Sequence, residues 1–461
     1  MQKQVADSMS DESRLRIVMH PWFAMGHLTP FLHMSNKLAA RGHEVFFLLP
    51  TKTQEKLNQF NLHPQNIKFI PLVVPKIEGL PPGAETTSDI DLKSVSLLFH
   101  AMDLTQPIVE SFLKEIKPHF VFFDYQHWLP SVTRSLGIKS IQFFIINPQV
   151  VAYFANDIVT AKASNLLKAS PGFPSSVINL KNYEARGLHL LCTSKTKGGI
   201  TFLDRLAIAK AECDAITFKG SREMEGKYCN FVEKMFNKPV ILAGPVVPEA
   251  PTSVLEEKWV NWLNGFRRGE VIYCAFGSEC RLEMQLFQEL VLGFELTGLP
   301  FFAALKPPIG AKTVEEGLPG GFEERIRGRG IVYGGWVQQQ LILSHPSVGC
   351  FVTHCGGGSI SEALVSQSQI VFLPNVADQA ITARMMDGEL RVGVEIERDK
   401  EGLFTKEDVC NTIKLVMDEE SEIGKLVKAN HTKWREFLLT EGLENSYIDE
   451  FVDYLQGMLR K

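Results

Sequence analysis

The stretch WVQQQLILSHPSVGCFVTHCGGGSISEALVSQSQIVFLPNVADQ, Trp336 to Gln379, decides the fold of this chain. Its layout is strand, Gly-rich turn, helix, strand. Gly349 to His354 is a short apolar run bounded by turn residues, the pattern of a buried parallel strand. Gly356, Gly357 and Gly358 remove side chains where the backbone must turn tightly, and Ser359 is expected to open the helical stretch SISEALVS ahead of the next apolar run, Gln369 to Pro374. A turn feeding a helix N-terminus presents free N–H groups and the positive end of the helix dipole, so the ligand it suits is a phosphate or diphosphate. A glycine turn can also be a plain tight connection. The rest of the stretch narrows the choice: Trp336 supplies an aromatic ring, Glu362 a carboxylate one turn into the helix, and Asp378–Gln379 a polar pair after the next strand.

Working outward, the same alternation runs through the chain. LRIVMH (15–20), EVFFLLP (44–50), Ile67 to Leu72, FVFFD (120–124) and SIQFF (140–144) read as strands. Between them, helical spacing places Leu28, Phe31, Leu32, Met34, Leu38 and Ala39 on one face, and one long helix is predicted within Asp89 to Lys117. From Gln149 to Lys210 the pattern weakens into loop-like tracts. VILAGPVVPEAPTS carries the Pro/Gly punctuation of a linker, which sets the domains at 1–248 and 249–440, with 441–461 as a final helix. The second half starts again with EVIYCAFGSE, a strand ending in Gly277-Ser278, a helix placing Phe287, Leu290, Val291 and Phe294 on one face, and strands at Phe301 to Leu305 and Ile331 to Trp336. Two helices are predicted from Lys406 to the end. Strands alternating with helices predict an α/β protein with parallel sheets covered on both faces, and ligands of such sheets lie beyond the carboxyl ends of the strands. His27 and Asp124 occupy that edge in the first half.

Composition narrows the function classes. At 461 residues the chain exceeds a single core of ordinary size, and 45% hydrophobic with 22% charged residues is an ordinary globular balance. A formal net charge of -5 without a long Lys/Arg run argues against a nucleic-acid partner. Eight cysteines without a CxxC pair indicate a reducing compartment. The polar N-terminus MQKQVADSMSDESR lacks the apolar core of a signal peptide, and no uncharged run is long enough to span a bilayer, so a cytoplasmic protein without membrane insertion, acting as a monomer, is expected.

The ordered set Trp336, Glu362, His354, Ser359 and Asp378–Gln379 resembles the signature box of plant family 1 UDP-sugar-dependent glycosyltransferases, and the resemblance extends over most of the chain. It implies the GT-B fold: two facing, Rossmann-like, doubly wound parallel-sheet domains with a cleft, the last helix crossing back to the first domain. It also implies roles. Trp336 would stack on uracil, Val337 would pair with it through its backbone, Gln339 is the box's second Gln, Glu362 would hold the ribose, and His354 and Ser359 the diphosphate, with Gly356 and Gly358 in the turn. Asp378 and Gln379 would hold sugar hydroxyls. Apart from the resemblance, Ser278 reads as a turn former after Gly277 or, by its strand end on the same sheet edge as the Gly-rich turn, as a further diphosphate contact. Where the box usually reads HCGWNS this chain has Gly357 and Gly358, which removes an indole near the sugar and an amide near the phosphate.

Moving a sugar from UDP to an alcohol needs a base for the alcohol's proton, and a neutral His can take it as the new bond forms. His27, in PWFAMGH, matches the family's base, and Asp124, ending FVFFD, the carboxylate that orients it. Each alone also reads as a local cap. Asp378 could cap the following helix, and His127 stands as pocket lining without an assigned role. Asp89-Ile90-Asp91 has the D-x-D form of metal-dependent sugar transferases, but its position before a helix favours capping carboxylates, so no metal and no cofactor beyond the UDP-sugar co-substrate is expected. Stretches such as YCAFGSEC and GFELTGLPFFAALKPP resemble the branch that extends sugar chains on flavonoid or anthocyanin glycosides. The donor is then UDP-glucose, UDP-rhamnose or UDP-xylose and the acceptor of flavonoid type. The alternatives are direct transfer to an aglycone, or a non-catalytic UDP-sugar-binding protein.

Overall fold

The computed structural model describes residues 14–91, 94–162, 166–196, 198–248, 251, 253–277 and 280–460. They divide into two compact units: one lies within Met1–Pro174, His189–Pro245 and Glu444–Lys461, the other within Ser175–Leu188 and Val246–Leu443.

The first unit is built on seven parallel strands: β1 (Arg16–His20), β2 (Glu44–Pro50), β3 (Ile67–Leu72), β4 (Phe120–Phe123), β5 (Lys139–Phe144), β6 (Ala215–Phe218) and β7 (Val240–Leu242), in the order β3-β2-β1-β4-β5-β6-β7. β4, the run FVFF, has every residue buried, as a strand covered on both faces must. The chain winds from β1 outward to β3 and then returns to lay β4 beside β1, so the connections leaving β1 and β4 diverge at the carboxyl edge. His20 pairs in register with Phe123, which brings the residues that follow them side by side.

The second unit repeats the device with six parallel strands: β8 (Val271–Ala275), β9 (Phe301–Ala304), β10 (Gly330–Tyr333), β11 (Val348–Thr353), β12 (Gln369–Phe372) and β13 (Gly393–Glu395), in the order β10-β9-β8-β11-β12-β13. Here the switch lies between β8 and β11, and Thr353 pairs with Ala275.

The last helix, Leu443–Leu459, belongs to the first unit, as expected. Ile448, Phe451, Val452 and Leu455 are its buried residues, spaced along one helical face, and they join the core that contains Leu28, Phe31 and Phe122. Burying side chains of this kind contributes roughly 1.5–3 kcal/mol each. At its start Glu444 meets Lys37 at 2.9 Å and Lys219 at 3.4 Å.

Four features depart from the sequence reading. The segment Ser175–Leu188, assigned there to the first domain, packs with the second unit because Glu184 grips Arg384 through both carboxylate oxygens, at 2.8 and 2.6 Å. The long helix within Asp89 to Lys117 is two, Val95–Asp103 and Gln106–Ile116, broken where Pro107 has no N–H to continue the ladder. The weakly patterned region to Lys210 contains the helices Asn182–Thr193 and Phe202–Glu212. Three helices rather than two follow Lys406: Lys406–Met417, Glu422–Leu438 and Leu443–Leu459. Among the described residues no helix is long and apolar enough to cross a membrane.

Candidate active site

In the first unit the switch point brings His27 and Asp124 together. The connection from β1 enters the helix Met25–Ala39, whose first turn carries His27, and Asp124 is the residue immediately after β4. His27 Nδ1 is hydrogen-bonded to Asp124 Oδ2, and the same oxygen accepts from the Trp22 N–H at 3.2 Å. An ionised carboxylate can only accept, so Nδ1 carries the proton and Nε2 is left as an acceptor. Asp124 is almost fully buried, at 1% side-chain exposure, whereas His27 keeps 15%, as an imidazole that must reach a substrate requires. Gln126 pins this loop from beneath: its Oε1 accepts from Asp124 N–H at 3.0 Å, and its Nε2 lies 3.1 Å from His20 Nδ1. Burial pushes the His20 imidazole down to about 4, so it is a neutral partner there.

Sequence reasoning missed what surrounds His27. Trp22 stacks on Phe99 with ring centres 4.0 Å apart, and Tyr125 packs edge-on against Phe202 at 5.1 Å and against the His27 ring at 5.3 Å. This aromatic wall ends in a buried ion pair, Arg205 to Asp103, with His127 at its side. The available signal was an Arg within the buried face of the helix Phe202–Glu212, alongside Leu203, Leu206 and Ala209.

In the second unit the residues that the sequence marks as donor candidates lie on the corresponding edge. The helix after β11, Gly357–Val365, starts before Ser359, so Gly357 and Gly358 are helical residues and the turn itself falls on Cys355 and Gly356. Cys355 takes φ +69, and a Cβ on Gly356 would stand 2.6 Å from the His354 ring, so a side chain there would have to displace the imidazole. Gly357 and Gly358, by contrast, have nothing within 4 Å of a Cβ. Their N–H groups lie in the helix's first turn, where intrahelical acceptors are lacking. His354 lies against Gly277 across the β8–β11 switch, and burial pushes its imidazole down to about 4, which keeps it neutral.

Gln339 ties the box together. Its Nε2 donates to Glu362 Oε2 at 2.6 Å and to Ser359 Oγ at 3.3 Å, while its Oε1 faces the Tyr273 hydroxyl at 3.4 Å. Burial pushes the Glu362 carboxyl up and the Gln339 hydrogen bond pulls it back in part. Val337 is buried, whereas the neighbouring Trp336 is 77% exposed, so its ring is not core. At the helix Ala377–Arg384 Gln379 caps: its Oε1 accepts from Asn375 and Val376 N–H at 2.9 and 3.3 Å. Ser278 lies outside the described residues. The D-x-D carboxylates cap, as their position implied: Asp89 Oδ2 accepts from the Glu85 and Thr86 N–H groups, and Asp91 Oδ1 from Ser94 N–H.

Comparison with known proteins places the chain in a family. The family described as UDP-glucoronosyl and UDP-glucosyl transferase matches residues 324–433. Over 96% of this chain and 98% of its own length, the cyanidin 3-O-galactoside 2''-O-xylosyltransferase FGGT1 of Actinidia chinensis var. chinensis is 56% identical. The chain belongs to the plant family 1 UDP-glycosyltransferases. An anthocyanidin 3-O-glucoside 2''-O-glucosyltransferase of Ipomoea nil is 51% identical to this UDP-glycosyltransferase over 98% of the chain and 99% of the relative. The crystal structure of Arabidopsis thaliana UGT89C1 complexed with UDP-L-rhamnose superposes with a TM-score of 0.76 at 21% identity, covering 96% of this chain and 99% of that one, which identifies the fold as GT-B. A UDP-glycosyltransferase takes a UDP-sugar as co-substrate.

Proposed function

We propose that this UDP-glycosyltransferase extends the sugar of an anthocyanin or flavonoid 3-O-glycoside at its 2''-hydroxyl, taking xylose or glucose from the UDP-sugar. The acceptor class rests on the two relatives just described. The chemistry rests on one observation, the hydrogen bond from His27 Nδ1 to Asp124 Oδ2.

With Nδ1 occupied, His27 Nε2 takes the proton of the attacking hydroxyl as its oxygen bonds to the anomeric carbon of the donor. The bond from that carbon to the β-phosphate oxygen breaks, UDP departs with the electron pair, and the configuration inverts. Asp124 holds the ring in orientation and stabilises the imidazolium that forms. The departing diphosphate is met by the N–H groups opening the helix Gly357–Val365, the Ser359 hydroxyl and neutral His354. Trp336 offers an exposed face for uracil, Val337 its backbone, and Glu362, oriented by Gln339, accepts from the ribose hydroxyls. Asp378 and the amide nitrogen of Gln379 take the sugar hydroxyls. Ser278 is the remaining diphosphate contact, carried only by its place in the sequence after Gly277.

A matrix of UDP-glucose, UDP-xylose and UDP-rhamnose against cyanidin, quercetin and their 3-O-glucosides and 3-O-galactosides, read by product mass, tests this reading. Disaccharide products from the glycosides are expected. Products from the aglycones alone would replace it with direct aglycone transfer.

A further inference from the structure

Just beyond Asp124, the loop leaving β4 carries a polar group that the mechanism above does not use. Asp124 and Gln126 are buried in the hydrogen bonds already described, whereas Tyr125 and His127 pack against the helix Phe202–Glu212. His127 Nδ1 lies 3.1 Å from Arg205 Nη1. A guanidinium has no acceptor, so Nδ1 must accept, which puts the ring's proton on Nε2. Arg205 is itself immobilised: it has no exposed side-chain surface, grips Asp103 with two bonds of 2.8 and 2.5 Å, and lies over the Phe99 ring at 4.8 Å. His127 keeps 15% side-chain exposure. Burial lowers its affinity for a second proton, with Asp103 raising and Arg205 lowering it, so the ring stays neutral.

We propose that His127 is a specificity-determining residue of the acceptor site, donating its Nε2–H to a hydroxyl of the acceptor sugar near the one that reacts. This rests on the acceptor reading above. His127 is three positions along the chain from Asp124; Tyr125, between them, packs on both the His27 ring and Phe202, and Arg205, which holds His127, lies over Phe99, so the imidazole borders the same aromatic wall as the base. In a glycoside acceptor the group nearest the reacting oxygen is the sugar that carries it. The neighbouring wall of Trp22, Phe99, Tyr125 and Phe202 offers ring faces, and its rigid polar edge is the Arg205-held imidazole. A preset donor also rejects a ligand lacking the matching hydroxyl, because the N–H, covered by the bound acceptor, is then left unpaired.

The test compares wild type, His127→Ala and His127→Gln on the 3-O-glucoside, 3-O-galactoside and 3-O-xyloside of one flavonoid, with UDP binding and thermal melting as folding controls. His127→Ala is expected to raise KM for the preferred glycoside about tenfold with kcat within about twofold, and His127→Gln, which restores an N–H donor, to recover most of the loss. Wild-type KM for monodeoxy versions of that glycoside should rise about tenfold at one position, and that penalty should vanish in His127→Ala. Unchanged KM in both variants with normal wild-type turnover overturns the inference alone, as does an equal wild-type KM for every deoxy acceptor. A wild type that transfers to none of the glycosides overturns the acceptor reading and the inference with it.

Discussion

Replacing Asp124 by Asn separates the carboxylate's charge from its geometry. Asp124 Oδ2 accepts from both His27 Nδ1–H and Trp22 N–H. An Asn side chain can keep its amide oxygen at that point, so the imidazole tautomer and the Trp22 hydrogen bond both survive. What is lost is the negative charge facing the imidazolium as the acceptor proton arrives. Two unit charges at roughly 4 Å in surroundings of effective dielectric about 20 attract by about 4 kcal/mol. At about 1.36 kcal/mol per decade, Asp124→Asn should lower kcat on the order of 10³-fold, with UDP affinity and Tm little changed. His27→Ala, which removes the base altogether, sets the floor. Asp124→Ala should in addition cost about 1–3 kcal/mol of stability, because the buried Trp22 N–H loses its partner. The assay is single-turnover product formation at saturating UDP-sugar, beside calorimetric titration with UDP. An Asp124→Asn enzyme within tenfold of wild type would refute an electrostatic role and leave Asp124 a purely structural group.

Two further outcomes follow from the same geometry. Because a Cβ on Gly357 meets nothing within 4 Å, Gly357→Trp should fold normally and change the ratio of kcat/KM for UDP-glucose over UDP-xylose by tenfold or more, the scale at which pockets sense one extra carbon; a ratio within twofold of wild type would remove this position from donor choice. Glu225 is a buried carboxylate pushed up from 4.5 to about 7 by burial, with the Ser221 N–H at 2.9 Å drawing it down in part and Glu223 adding to the rise. A raised folded-state value means that its contribution to stability is complete below about pH 4.5 and is lost as pH rises through about 7. That loss is roughly 3 kcal/mol, so Glu225→Gln should raise Tm relative to wild type at pH 8 and leave it nearly equal at pH 4.5, with equal differences at both pH values counting against it.

The sequence by itself determined the elements and the chemistry-bearing residues. Undiluted apolar runs bounded by turn residues, such as FVFF, suit central strands, and the ordered residues from Trp336 to Gln379 carry the family resemblance, because these constraints are local in the chain. The same locality explains the misreadings. That Gln379 caps depends on where the helix begins, and the glycine turn's strain falls on Cys355, which no propensity singles out. That Ser175–Leu188 joins the second unit depends on an ion pair between residues distant in sequence, Glu184 and Arg384. Only the tertiary structure decided which residues became one group. His27 and Asp124 meet because β4 returns beside β1, and His127 acquires a fixed tautomer because a helix far along the chain presents Arg205 to it. Strand order and helix docking are set by long-range packing, which a sequence encodes in its whole core and not at the residues it brings together.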